Sequence, residues 1–285
     1  MKTGMALLVA GTMQGCAQIA APDLEARLAR AITNVTYQPP APSEFARARE
    51  LFAHTLRGDQ TAAELKTGWA GLGFEFNEVA AGSGSLWLVC EPPGKEAGRG
   101  WYLFRTNAAS TTALEAPHAK NDVHTGVISL RLFLAGDARV LAESTITRHR
   151  ADMAHLDDTF FQAFTLAFAD VCPTGLVVQL HGFETENHGG TKADIIASAG
   201  TPSPEAWFGD AVQALKNASS WIVLAYPTDI KQLGATTNAQ GKALNKAGHC
   251  RFYHLEFTKE LRDRLTRDEA LRRALLESLP ASLKR

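Results

Sequence analysis

The stretch that decides the fold is LDDTFFQAFTLAFADVCPTGLVVQLHGFE, residues 156–184. Its first half, up to Val171, is an apolar-faced run of helical length that reads as a helix. Its second half, from Gly175, is a continuous apolar run of strand length that stops at His181-Gly182. A strand without polar alternation is buried on both faces. A helix feeding such a strand through a short turn is the repeating unit of a sheet covered by helices on both sides.

The pattern continues outward in both directions. Before it, GVISLRLFLAG (126–136) reads as a helix and ARVLAESTI (138–146) as a strand. After it come a helix in PEAWFGDAVQALKN (204–217) and strands in SWIVLAYP (220–227) and CRFYHLEF (250–257). TKELRDRLTRDEALRRALLESL (258–279) reads as one long charged helix. The segment TTNAQGKALN (236–245) reads as a polar, glycine-containing loop. Towards the N-terminus, DLEARLARAI, SEFARARELFAHTL and TAAELKTGWAGL (within 23–72) read as helices. GFEFNEVA, SLWLVCE, GWYLFRT and TALEAPH (within 73–118) read as strands joined by turns. The expectation is an α/β fold: a mixed, mostly parallel sheet with helices on both faces and an N-terminal helical and hairpin elaboration. No linker divides residues 21–285, so a single domain is expected.

Composition narrows the function. The chain has 285 residues, 45% apolar and 21% charged, with a formal net charge of -1. That balance gives no reason to expect a nucleic-acid partner. No apolar run reaches the length of a membrane-spanning helix. The first residues, MKTGMALLVAGTMQGCAQ, have the shape of a weak secretory signal, with cleavage after Ala17 or lipid attachment at Cys16 as two outcomes. Export to the periplasm or beyond is one expectation for this chain and a cytoplasmic location the other. The cysteines at 16, 90, 172 and 250 form neither a disulfide framework nor a CxxC metal site.

In sheets of this type ligands gather at the carboxyl ends of strands. Three strand ends carry the right chemistry here: His118 with Asp122 after LEAP, His181 after VVQL, and His254 with Glu256 in RFYHLEF, where alternation puts Phe252, His254 and Glu256 on one face. Two imidazoles and a carboxylate on neighbouring strand ends suit a three-ligand zinc site with an open fourth position. Glu256 is the unusual residue, because a carboxylate inside an apolar strand costs several kcal/mol unless it is satisfied. It serves either as the proton-transfer group beside a metal or as half of an ion pair with Arg251 or Arg148. His124 and Thr125 read as helix caps or as partners of Asp122. His188 reads as a solvated loop residue. Arg148 and Arg150, in STITRHRADMAH (144–155), offer guanidinium forks for a substrate carboxylate.

These motifs resemble those of the zinc-carboxypeptidase superfamily. FYHLEFTKELRD (252–263) is similar to the strand that carries its acid/base glutamate, and VVQLHGF (177–183) to the strand that supplies its last zinc histidine. The superfamily's first two ligands stand in an HxxE arrangement. Here the sequence is His118-Ala119-Lys120-Asn121, and the acidic residue, Asp122, falls one place later. With RHRADMAH and TTNAQGK, the pattern resembles an uncharacterised bacterial branch near the poly-gamma-glutamate hydrolases and N-formylglutamate amidohydrolases. The resemblance spans about residues 112–265. It implies Zn2+ held by His118, Asp122 and His181, Glu256 as acid/base, and Arg148 or Arg150 on an anionic group. The activity implied is hydrolysis of an amide or peptide bond in a small peptide or N-acyl amino acid bearing a carboxylate. The alternative is an exported binding or cell-envelope protein that keeps the scaffold without turnover. No GxSxG elbow or GxxxxGK[ST] loop offers another hydrolytic mechanism.

Overall fold

A computed structural model describes residues 21–81, 84–188, 190–248 and 251–280. The signal and lipid-attachment readings of residues 1–20 fall outside that range. In chain order the elements are α1 (Ala21–Ala31), α2 (Pro42–Arg57), α3 (Ala62–Gly71), β1 (Glu75–Ala81), β2 (Gly84–Cys90), β3 (Trp101–Arg105) and β4 (Thr112–Ala116). There follow α4 (Thr125–Ala135), β5 (Val140–Glu143), α5 (Phe160–Val171), β6 (Leu176–Phe183), β7 (Ile195–Ser198), α6 (Ala206–Ala218) and β8 (Val223–Ala225). The last are α7 (Ala239–Ala247), β9 (Arg251–Thr258), α8 (Lys259–Arg267) and α9 (Glu269–Ser278).

All nine strands described form one sheet, ordered β1-β2-β3-β5-β4-β6-β9-β7-β8. Its centre, β5-β4-β6-β9, is parallel, and the β1-β2-β3 meander extends it antiparallel. β7 returns antiparallel along β9. Alternation within each strand sends side chains to two separate cores. Leu114, Leu141, Val178, Leu180 and Leu255 pack on the side of α4, α6, α8 and α9. Ala113, Val140, Val177 and Phe252 pack on the side of α2, α3 and α5. On that second side Phe52 touches Trp69, Tyr102 and Phe164, with ring centroids 4.7, 4.7 and 5.5 Å apart. The expected mixed sheet with helices on both faces is therefore present. The N-terminal elaboration is part of it, since the β1-β2-β3 meander joins at β5.

Three local readings are corrected. TTNAQGKALN is not a loop: Asn238 caps α7 by accepting from the Gly241 N–H at 2.9 Å, and Ala239, Gln240, Gly241 and Leu244 are buried. The stretch Ile195–Ser198, left unassigned in the sequence, is the buried four-residue strand β7. The C-terminal helix is two helices, broken at Asp268, whose φ/ψ of -107/108 is extended and whose side chain caps α9 at the Leu271 N–H, 3.0 Å away.

Candidate metal centre

The candidate ligand residues converge because of register. β6 and β9 run parallel with His181 opposite Glu256 and Gln179 opposite His254. All four side chains thus leave the same face of the sheet, the one that α5 and α7 cover. β4 lies on the other side of β6 and delivers His118 just past its carboxyl end.

The spacing of His118 and Asp122 is explained by a single helical turn. The Asp122 N–H donates to the His118 carbonyl at 2.9 Å, which folds the carboxylate back to 3.3 Å from His118 Nδ1. His181 Nδ1 lies 3.4 Å from the same oxygen, Asp122 Oδ2. One ligand atom from each of His118, Asp122 and His181 lies within 4.8 Å of the others, and all three residues are buried. Thr125 supports this turn by donating to the Asp122 backbone carbonyl at 2.8 Å, not to its carboxylate. His124 faces away, with Nε2 3.1 Å from Asp263.

The outer nitrogens of both imidazoles are occupied. His118 Nε2 is 2.7 Å from Asp152 Oδ1, and His181 Nε2 is 2.8 Å from Gln179 Oε1. An Nε2–H in each ring leaves two Nδ1 lone pairs aimed at a carboxylate oxygen. Asp122 Oδ2 receives one N–H there, from Gly182 at 3.0 Å. Two ring nitrogens and one carboxylate oxygen facing one another could hold a cation, and that donor set fits a divalent metal. Asp152 in turn accepts from Arg148 Nε at 3.0 Å.

The electrostatics differ between the two imidazoles: burial works to lower His118, but its hydrogen bonds and attraction to Asp122 and Asp152 outweigh it and raise the ring above its ordinary value. Burial pushes the Asp122 carboxyl up, but contacts with His118 and His181 outweigh it and hold the group well below the usual carboxylate range. Asp152 is likewise lowered, to about 2, because its hydrogen bond and attraction to His118 overcome burial. Burial lowers His181 to about 4 and keeps its ring neutral, the state a ligand needs. Burial also drives His254 well below its ordinary value.

Glu256 stands beside this cluster. Its residue is 8% exposed, Oε2 has no hydrogen-bond partner among the described residues, and Oε1 lies 3.6 Å from His254 Nε2. Burial, then the charge of Asp122, raises its carboxyl to about 8. His254 Nδ1 is also unpartnered, and its ring stacks on His181 with centroids 4.5 Å apart. His181, His254 and Glu256 form a second group of close buried ligand atoms. Of the two arginines weighed as its ion-pair partners, Arg148 pairs with Asp152, and the Arg251 guanidinium lies over Trp207.

A cavity of about 670 Å³ opens over these groups and is walled by Arg148, His149, His155, Tyr226, Lys231 and the 233–238 segment. Arg148 is thus brought to the cavity. Arg150 instead points to Asn34, 3.3 Å from its Oδ1. His188 lies on the cavity wall as well and contacts Gln232 at 3.0 Å.

Sequence reading passed over three residues of the site. Asp152 is a plain loop aspartate in the sequence. Gln179 sits unmarked inside an apolar strand, although a glutamine in such a run was itself a signal. Arg262, in α8, is 2% exposed and donates to the Val123 carbonyl at 2.9 Å and to Glu184 at 3.1 Å. It ties the His118–His124 turn to the end of β6. Gly182 makes room for it, since a Cβ there would lie 2.5 Å from the guanidinium carbon.

No protein-family profile matches this sequence, and a comparison with curated proteins finds no match. Several solved structures are similar in fold at low identity. An N-formylglutamate amidohydrolase from Ralstonia eutropha is 12% identical, with a TM-score of 0.44, covering 62% of this chain and 94% of its own. A zinc-free structure of YndL is 14% identical, with a TM-score of 0.42, covering 61% and 86%. A bacteriophage poly-gamma-glutamate hydrolase is 11% identical, with a TM-score of 0.36, covering 60% and 84%.

Proposed function

We propose that this protein is a zinc-dependent hydrolase of an amide or peptide bond. The observation that carries the reading is the convergence of His118 Nδ1, His181 Nδ1 and Asp122 Oδ2, with both outer ring nitrogens already engaged by acceptors. Among divalent ions, zinc suits this mixed nitrogen and oxygen set with a free corner. Bound there, it would polarise the scissile carbonyl and make water more acidic.

The chain's own groups do the rest. Glu256 takes the proton of the attacking water on Oε2, its unpartnered oxygen, and returns it to the leaving nitrogen. Its buried carboxyl, raised towards neutrality, is suited to giving as well as taking a proton. Arg148 at the cavity wall holds a substrate carboxylate through its guanidinium fork. Asp152 keeps His118 oriented. Arg150, turned to Asn34, is the weaker of the two candidates for anion binding. The substrate class is a small peptide or N-acyl amino acid with a free carboxylate.

The test is a screen of the zinc-loaded protein against C-terminal, gamma-linked and N-acylated peptide substrates, run beside Glu256→Gln. The expected result is turnover of at least one class, lost by about 100-fold or more in Glu256→Gln, with zinc content unchanged. Equal activity in the variant would refute the role given to Glu256.

A further inference from the structure

We propose that Gln179 is a positioning residue that fixes the tautomer of His181, so that Nδ1 is presented as a lone pair to the metal, and that Glu115 holds Gln179 in place. The proposal rests on His181 being a ligand, as in the reading above, but its first test does not need the metal.

The polarity of this network follows from backbone groups alone. The Gly241 N–H can only donate, and it donates to Asn238 Oδ1 at 2.9 Å. The Asn238 amide nitrogen must therefore face the other way, where it donates to Gln179 Oε1 at 2.6 Å. The Met153 carbonyl can only accept, and it accepts from Gln240 Nε2 at 3.0 Å, which turns Gln240 Oε1 towards Gln179 Nε2, 3.4 Å away. Gln179 Nε2 also donates to Glu115 Oε2 at 2.8 Å, and Thr165 fills the other Glu115 oxygen at 2.6 Å. Reversing the Gln179 amide would set donor against donor at Asn238 and oxygen against oxygen at Gln240. Only one orientation is left.

That orientation puts an obligate acceptor 2.8 Å from His181 Nε2, so the proton sits on Nε2. Gln179, Glu115 and Gln240 are each 0% exposed, so no water can substitute for a lost partner. An aliphatic residue at 179 would leave the ring free to place its proton on Nδ1, where it would be hydrogen-bonded to Asp122 and closed to a metal.

Nitrogen NMR of the metal-free protein, with the His181 signals assigned by comparison with His181→Ala, reads the tautomer directly. The expected result is a protonated Nε2 and an unprotonated Nδ1 in the wild type. A His181 proton on Nδ1, or an even mixture, would overturn the proposal. Zinc affinity is then compared for the wild type, Gln179→Leu, and the exchanged pair Glu115→Gln with Gln179→Glu, which keeps the acceptor facing Asn238 and His181, reverses the link between 115 and 179, and gives up only the 3.4 Å contact with Gln240. Gln179→Leu is expected to bind zinc about 10- to 100-fold more weakly, as is usual when a group behind a ligand is lost, and to lose the single tautomer. The exchanged pair is expected to recover both. If Gln179→Leu folds and keeps wild-type affinity and tautomer, Gln179 does not position His181. If it fails to fold, the wild-type spectrum and the exchanged pair decide. A wild type that binds no zinc yet shows the Nε2 proton refutes the metal reading and leaves the tautomer assignment standing.

Discussion

The two histidines of the centre are held in opposite ways. Behind His118 stands Asp152, a carboxylate whose side chain is 27% exposed and which leans on the solvent-facing Arg148. Behind His181 stands a dry chain of amides and a carboxylic group, from Gln179 to Glu115, enclosed by α5 and α7. One flank is a charge at the edge of water. The other is built into the core, so that its geometry is fixed when the sheet and helices pack. The contrast assigns them different sensitivities: damage to the inner flank costs folding, and damage to the outer flank costs affinity.

The largest effect is expected at Glu115→Ala. Removing that carboxyl opens a gap in a sealed space and leaves the Gln179 amide with only Gln240 Oε1 at 3.4 Å and the Thr165 hydroxyl with only the Phe161 carbonyl at 3.2 Å, each lost short hydrogen bond costing about 1–3 kcal/mol. Denaturant unfolding should show a loss of several kcal/mol; a loss under about 1 kcal/mol would mean that the inner network carries little stability. Next comes Asp152→Ala, which should weaken zinc binding by about 10- to 100-fold while stability of the metal-free protein changes by about 1 kcal/mol or less. A large loss of stability with affinity intact would reverse the contrast.

A subtler effect is the pH dependence of the inner flank. Burial raises the Glu115 carboxyl from 4.5 to about 7, against the opposing hydrogen bonds of Thr165 and Gln179. Between those values the unfolded chain has released this proton while the folded chain retains it. Stability from this group is therefore complete below about pH 4.5 and declines as pH rises to about 7. Measured from pH 5 to pH 8, the wild type should lose on the order of 1–3 kcal/mol relative to Glu115→Gln. Parallel curves for the two proteins would contradict it. The smallest effect is expected at Arg150→Ala, which alters an exposed contact with Asn34 and should change stability by less than about 0.5 kcal/mol.

The same division explains what the sequence made legible. The strands and helices around the site were readable because their apolar runs are long and their ends are marked by His118-type and His181-type breaks in hydrophobicity. The four-residue spacing of His118 and Asp122 was visible, but the turn that closes it depends on a backbone bond from Asp122 to the His118 carbonyl. Asp152 was beyond reach because its partner is 34 residues away and nothing local marks it. α7 was hidden because its formation depends on Asn238 serving both as a helix cap and as a donor to Gln179, a link across 59 residues. Short elements and long-range polar partners are set by tertiary packing, which periodicity does not encode.

The proposed metal centre requires that one divalent ion sit between His118, Asp122 and His181. Elemental analysis of the purified protein beside His181→Ala measures this. One zinc per chain in the wild type, lost in the folded variant, is the expected result. A folded wild type that takes up no zinc from a zinc-supplemented buffer, or a folded His181→Ala protein that keeps it, would contradict the metal centre.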